Sequence, residues 1–201
     1  MIIVDIEASG LNPQKHSILS IGAVEFSNPE NQFYEECKMW KGAEVDPKAL
    51  EVCGFTREQI YDARRKSVKQ VLQKFVNWVA KISEQTIVGQ NPNTLDIPIL
   101  MASLNREGID WNPGHRTIDL HAVAYYQMLK RGVVPPMKER RTDLNLDKIL
   151  TYVGLPTEPQ PHNGLTGAKM EAEAFSRLLY GKSLLKEYVK YKVPEYLRNK
   201  I

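Results

Sequence analysis

The stretch IIVDIEASGL, residues 2–11, decides how the fold is read: an apolar run ends in acids and is followed by Ser9-Gly10, where the backbone must turn. A short run of this composition predicts a strand. Asp5 and Glu7 lie two residues apart, so a strand projects both carboxylates from one face. Two carboxylates at a strand end suit hard cations such as Mg²⁺ or Mn²⁺, and they equally suit a solvated strand terminus.

The following segments extend the strand into a sheet. ILSIGAVEF at 18–26 favours a strand, Asn28-Pro29 marks a turn, and QFYEECKMW at 32–40 completes a three-stranded antiparallel meander. Helical spacing over 67–82 runs through Val68, Val71, Leu72, Phe75, Val79 and Ile82, and residues 86–89 are short enough for a buried strand. A helix after Pro92 carries Ile97, Leu100, Met101 and Leu104 inward. Residues 117–120 predict a further buried strand, feeding a helix through Tyr126 and Leu129. The loop 132–142, with its Pro-Pro pair and KERR cluster, is the candidate mobile segment. Asp143 suits the N-cap of a helix ending near Gly154, and a Pro-rich linker at 156–161 leads to a last core helix over 165–180. Strands first, then alternating helix and strand, predict an α/β fold: a mixed sheet with helices packed on it.

The chain has 201 residues, 42% hydrophobic and 25% charged, an ordinary composition for one compact domain with a short extension. Two cysteines are too few for a disulfide framework, and no apolar run is long enough to span a membrane, so a soluble, reducing, cytoplasmic setting without membrane contact is the default expectation. The net charge of +3 is concentrated at the C-terminus. Residues 181–201 hold six Lys or Arg against two Glu, leaving 21 basic and 22 acidic groups in residues 1–180.

Two more residues carry potential chemistry. Asp96 comes early in its helix after the turn-forming GQNPN, where a first-turn acid is favoured by the helix dipole even when exposed. His162 sits in a loop just before the last helix; loop histidines are commonly exposed, yet imidazole is the group best suited to take a proton from water near neutral pH.

DIEASGL at 5–11, GQNPNTLDIPIL at 89–100 and HNGLTGA at 162–168, in this order and at these intervals, resemble the three motifs of the DEDDh (DnaQ-like) 3′-to-5′ exonucleases. That superfamily includes polymerase proofreading subunits, ribonuclease T and oligoribonuclease. The intervening DPKALEVCGFT at 46–56, TIDL at 117–120 and LNLDKILTYVGL at 144–155 are similar to the corresponding family segments, so the resemblance covers about residues 1–180. It implies a ribonuclease H-like five-stranded mixed sheet and hydrolysis of the 3′ end of single-stranded DNA or RNA with two divalent cations, Mg²⁺ or Mn²⁺. On that resemblance Asp5 bridges the cations, Glu7 holds the first, Asp96 supports the second and His162 is the general base. Ala8, Ser9, Gly10 and Leu11 would cradle the terminal nucleotide, with Leu11 under the base and Asn91 beside it.

One position departs from the pattern. Five residues after the histidine the family has an aspartate, and this chain has Gly167. A lost carboxylate weakens a site for two dications, so a degenerate exonuclease that binds nucleic-acid ends or a protein partner with little turnover is the alternative. On the last helix the apolar stripe runs through Ala168, Ala172, Phe175 and Leu179. Glu171 flanks that stripe at roughly 70° while Glu173 lies roughly 130° away and points to solvent. Glu171 is therefore the candidate replacement ligand, reaching back into the space the glycine leaves open, or else a boundary acid paired with a nearby Lys or Arg; Gly167→Asp is the complementary change whose gain would mark a crippled site. An unrelated α/β domain with surface acids is the remaining reading. The basic extension, 181–201, has Leu184, Leu185, Tyr188 and Tyr191 at helical spacing and is expected to pack on domain 1–180, with a homodimer or a polymerase-type protein partner as further expectations.

Overall fold

The computed structural model describes residues 1–198. A five-stranded mixed sheet, ordered β3-β2-β1-β4-β5, organises the fold. The strands β1 (Ile2–Ala8), β2 (Ile18–Glu25) and β3 (Gln32–Glu36) form the antiparallel meander. The third strand is shorter than expected because residues after Glu36 leave the sheet: Lys38 N–H donates to Lys66 O and Met39 N–H to Ile60 O. Two short helices follow, α1 (Pro47–Cys53) and α2 (Arg57–Tyr61), then α3 (Val68–Val79) with a capping box between Ser67 and Gln70.

The chain then enters β4 (Ile87–Gly89), which pairs parallel to β1 at Ile2 and Ile3, and crosses through α4 (Asp96–Glu107) to β5 (Ile118–Asp119), parallel to β4. The last strand is only half-buried, contrary to the expected buried strand, because it lies at the sheet edge. After α5 (Leu120–Lys130), the loop 132–142 contains a small hairpin, β6 (Met137–Lys138) with β7 (Arg141–Thr142). Glu139 and Arg140 turn that hairpin with positive φ of 48° and 65°, folding the KERR segment into a tight turn. Helix α6 (Leu146–Tyr152) is capped by Asn145, whose Oδ1 accepts from Lys148 N–H at 3.1 Å; Asp143 is instead ion-paired to Lys148.

Helix α7 (Gly164–Tyr180) is capped by Asn163 and covers one face of the sheet. Along β1, Ile2, Val4, Ile6 and Ala8 pack with α3 and α4, whereas Ile3 packs with α5, α6 and α7. By strand alternation Asp5 and Glu7 share the face of Ile3, beneath α7. Two glycines bring that helix onto the sheet: a Cβ on Gly22, the residue paired with Asp5, would overlap the Gly164 carbonyl, and a Cβ on Gly164 would lie 2.9 Å from Asp5 O. The N-terminal turn of α7 is thereby seated directly over the acidic strand.

Beyond Tyr180 the expected helix over Leu184–Tyr191 is absent; the chain makes a 3₁₀ turn (Lys186–Tyr188) and a short helix α8 (Glu195–Arg198). The irregular path is held by buried Arg177, whose guanidinium donates to the carbonyls of Val153, Tyr188 and Tyr191. Glu173, expected at the surface, is fully buried: Oε1 accepts from Arg177 and Ser183, and Oε2 from the Leu184 and Leu185 amides. The segment after α7 covers the helix face that the apolar stripe alone assigns to solvent. Leu179, read as core, is 40% exposed.

Candidate active site

A cleft of about 570 Å³ opens at the C-terminal ends of β1 and β4, where α4 begins and α7 passes overhead. Parallel sheets place ligand sites at this end of their strands. The pairing of β1 with β4 stops at Ile3 and Val88, and the strands part beyond it. Asp96 enters the gap as the first residue of α4, its Oδ1 accepting the free Ile6 N–H at 3.1 Å. It is only 8% exposed, so it is an internal acid and no solvated first-turn residue.

Asp5, Glu7, Asp96, His162 and Glu171 all line this one cleft, as do Ala8, Gly10, Leu11 and Asn91. Leu11 projects at the rim, 73% exposed. Asn91 has φ of 51° and its N–H donates to Asp119 Oδ1, which also accepts from His121 N–H, tying the loop after β4 to the start of α5. Ser9 is the exception among the residues singled out by sequence. It is fully buried, its hydroxyl donating to Glu44 O and accepting from Ser17 N–H, so it holds the turn instead of facing the cleft.

Glu171 is 4% exposed; Oε1 accepts from Gln90 N–H at 3.3 Å and Oε2 has no hydrogen-bond partner. The space at Gly167 is not open. A Cβ there would overlap Asp5 Oδ2 and lie 2.9 Å from Asp5 Cγ and 3.2 Å from Glu158 Oε1.

Glu158 is the site residue that sequence reasoning missed. It lies in the Pro-rich linker, yet its side chain is 6% exposed and lines the cleft, with Oε2 3.6 Å from His162 Nδ1. Linkers have no periodicity to reveal an inward side chain; the only available signal was its spacing, four residues before the motif histidine.

Six carboxylates, those of Asp5, Glu7, Asp46, Asp96, Glu158 and Glu171, thus line one cleft, and among the described residues Lys48 is its only lysine or arginine. Burial, then the charges of Glu171, Asp96, Glu7 and Glu158, hold the Asp5 carboxyl well above the usual range. Burial and Asp96 do the same to Glu171, against the opposing Gln90 N–H. Burial pushes Glu7 up to about 7; it also raises Asp96 to about 7 against the Ile6 N–H, and Glu158 to about 7 with help from Glu7. Burial lowers the His162 pKa, with Asp147 opposing.

These carboxyls titrate higher in the folded than in the unfolded chain, so the folded state keeps protons that the unfolded state releases. Stability is then greatest below the unfolded values, near 4, and declines as pH rises toward 7. In chelator, the unfolding free energy from urea titration is expected to fall between about pH 5 and about pH 8 by on the order of 3 kcal/mol for one such group. A flat profile would show that the acids are not desolvated as their packing implies.

The exonuclease family model matches residues 2–175. A PolC-type DNA polymerase III of Thermotoga maritima is 26% identical over 179 residues, which are 89% of this chain and 12% of that protein. Among solved structures, E. coli Exonuclease I in complex with a dA16 oligonucleotide superposes with a TM-score of 0.68 at 17% identity, over 89% of this chain and 40% of that one. The nuclease domain of 3′hExo, a DEDDh family member bound to rAMP, gives 0.67 at 19% identity, over 96% and 95% of the two chains. With a mixed five-stranded sheet flanked by helices and a family match over residues 2–175, this chain belongs to the exonuclease family.

Proposed function

We propose that this protein shortens single-stranded DNA or RNA from the 3′ end by hydrolysis of the terminal phosphodiester. The observation that carries the reading is the gathering of Asp5, Glu7, Asp96 and Glu171 with His162 in one cleft that has no buried cation of its own. Unpartnered Glu171 Oε2 is a buried ligand atom without a proton donor, which fits a hard dication. Asp5, Glu7, Asp96 and Glu171 would hold two divalent cations, Mg²⁺ or Mn²⁺. When bound, these supply electrostatic stabilisation of the attacking and leaving oxygens of an in-line displacement. Asp5 is the central ligand, since it alone feels the charges of Glu171, Asp96, Glu7 and Glu158 together.

His162 is half-exposed at the cleft wall, and its lowered pKa keeps the imidazole neutral near pH 7, ready to take a proton from the attacking water. The water oxygen forms the new bond to phosphorus, and the bond to the 3′ oxygen of the preceding nucleotide breaks. The turn at residues 8–11 receives the terminal nucleotide, with Ser9 fixing the turn from inside and Leu11 offering an apolar surface to the base. Asn91 bounds the opposite wall. The chemistry is confined to residues 1–180 and residues 181–198 of the basic extension pack on that domain, residues 199–201 lying outside the described residues. The segment shared with a PolC-type polymerase supports a polymerase-type partner.

The test is a 3′-shortening assay on matched DNA and RNA oligonucleotides with Mg²⁺, Mn²⁺ or chelator. Stepwise shortening that chelator abolishes is expected. Cation-dependent binding of ends without shortening would instead establish the degenerate reading, for which Gly167 is the motivating departure.

A further inference from the structure

The departure at Gly167 raises the question of what balances the charge on the Glu7 side of the cleft. Glu171 is not at that place: the atoms that a Cβ on residue 167 would meet belong to Asp5 and Glu158. Glu171 is bound to the loop after β4 through Gln90 N–H, and the neighbouring charge that acts on it most is that of Asp96. On the other side, Glu7, Glu158 and His162 present ligand atoms all within 4.8 Å of one another. We infer that Glu158, delivered by the linker between α6 and α7, is a cation ligand that takes the place of the family's carboxylate at position 167, so that Glu158 and Glu171 serve opposite sides of Asp5.

Three contacts fix the linker. Glu158 N–H donates to Asp147 Oδ1 at 3.1 Å, His162 N–H donates to Val52 O at 2.8 Å, and Pro161 packs where Gly54 lacks a Cβ. The Glu158 side chain thus runs inward from a backbone held by α1 and α6. It is 94% buried by its own exposure of 6%, and its Oε1 has no hydrogen-bond partner. A carboxylate oxygen left unpaired in a protein interior is costly unless a proton or a cation meets it. A surface acid cluster has no such orphan. The glycine is part of the same arrangement: with no side chain at 167, Glu158 Oε1 approaches the edge of α7 beside Asp5 Oδ2. A carboxylate on a loop thereby replaces one on the helix, at the cost of ordering the linker.

This inference rests on the cation-dependent reading of the cleft, and the experiment separates the two. Mn²⁺ is titrated calorimetrically into the full chain and into Glu158→Gln, and both are run in the 3′-shortening assay. Glu158→Gln is expected to weaken Mn²⁺ binding about tenfold or more and to reduce turnover in step, with raised Mn²⁺ recovering part of it. An unchanged Mn²⁺ titration overturns the assignment, even if turnover falls, because a residue that only holds His162 would act on turnover alone. A wild-type chain that binds no Mn²⁺ overturns both readings. Weakened Mn²⁺ binding in Glu158→Gln, with no shortening by either chain, supports the ligand and refutes the exonuclease. If Glu158→Gln does not fold, Glu158→Asp keeps the charge on a shorter arm and is expected to give the same weakening; unaltered binding there overturns the assignment.

Discussion

Asp5→Asn is expected to reduce 3′-shortening by about a thousandfold or more while leaving the cation-free protein at least as stable as the natural chain. The two effects come from one arrangement. Asp5 is half-buried among Glu171, Asp96, Glu7 and Glu158, with no basic side chain among the charges that act on it. Without cations its ionised form is a burden on folding, and an isosteric amide removes that burden without opening a cavity. With cations bound, the same carboxylate is the only one adjacent to both sides of the cleft, so its loss removes several kcal/mol of charge stabilisation. Single-turnover shortening of an end-labelled oligonucleotide in saturating Mg²⁺, paired with thermal denaturation in chelator near pH 8, reads both. Loss of activity together with lost stability would mark Asp5 as a structural residue; retained activity would remove it from the chemistry.

The parts of this site that lie on regular elements were legible in the sequence, and the parts set by tertiary path were not. Asp5 and Glu7 could be placed because strand alternation puts residues two apart on one face, and Glu171 because helical periodicity puts it beside the Ala168–Ala172 stripe. The meander was legible for the same reason: β2 is a nearly continuous buried run bounded by turn residues. The burial of Asp96 was not, since an acid at a helix start satisfies the dipole equally well in water, and only the parting of β1 from β4 supplies the Ile6 N–H that draws it inward.

Glu158 and Glu173 show the limit more sharply. A helical wheel assigns Glu173 to solvent because it counts only the apolar residues of its own helix. The polypeptide after Gly181 returns across that face and offers two amides and a hydroxyl to the carboxylate. That return is irregular, so the spacing of Leu184, Leu185, Tyr188 and Tyr191 mimics a helix that backbone capture by Arg177 prevents. Glu158 sits in a segment whose composition says only linker; its inward aim follows from Asp147, Val52 and Gly54, which are distant in sequence.

Gly167→Asp is expected to lower activity, the opposite of the gain that would mark a crippled site. The backbone of α7 cannot retreat to make room, because its first turn is seated on Gly22 through Gly164 and is capped by Asn163. A Cβ at residue 167 would overlap Asp5 Oδ2 and stand 2.9 Å from Asp5 Cγ, so the group that must yield is the central carboxylate itself. Displacing a reacting-site ligand by about 1 Å costs about a hundredfold in rate. Gly167→Ala isolates this steric part and is expected to show that loss with the fold retained, since the displaced atoms are the end of one short side chain. Gly167→Asp adds a further buried negative charge beside Asp5 and Glu158, so cation-free stability should fall below that of Gly167→Ala. Turnover of both variants in saturating Mn²⁺, with urea denaturation in chelator, checks each step. A gain in turnover by Gly167→Asp over the natural chain would mean that Asp5 moves aside at no cost and that the cleft is short of a ligand after all.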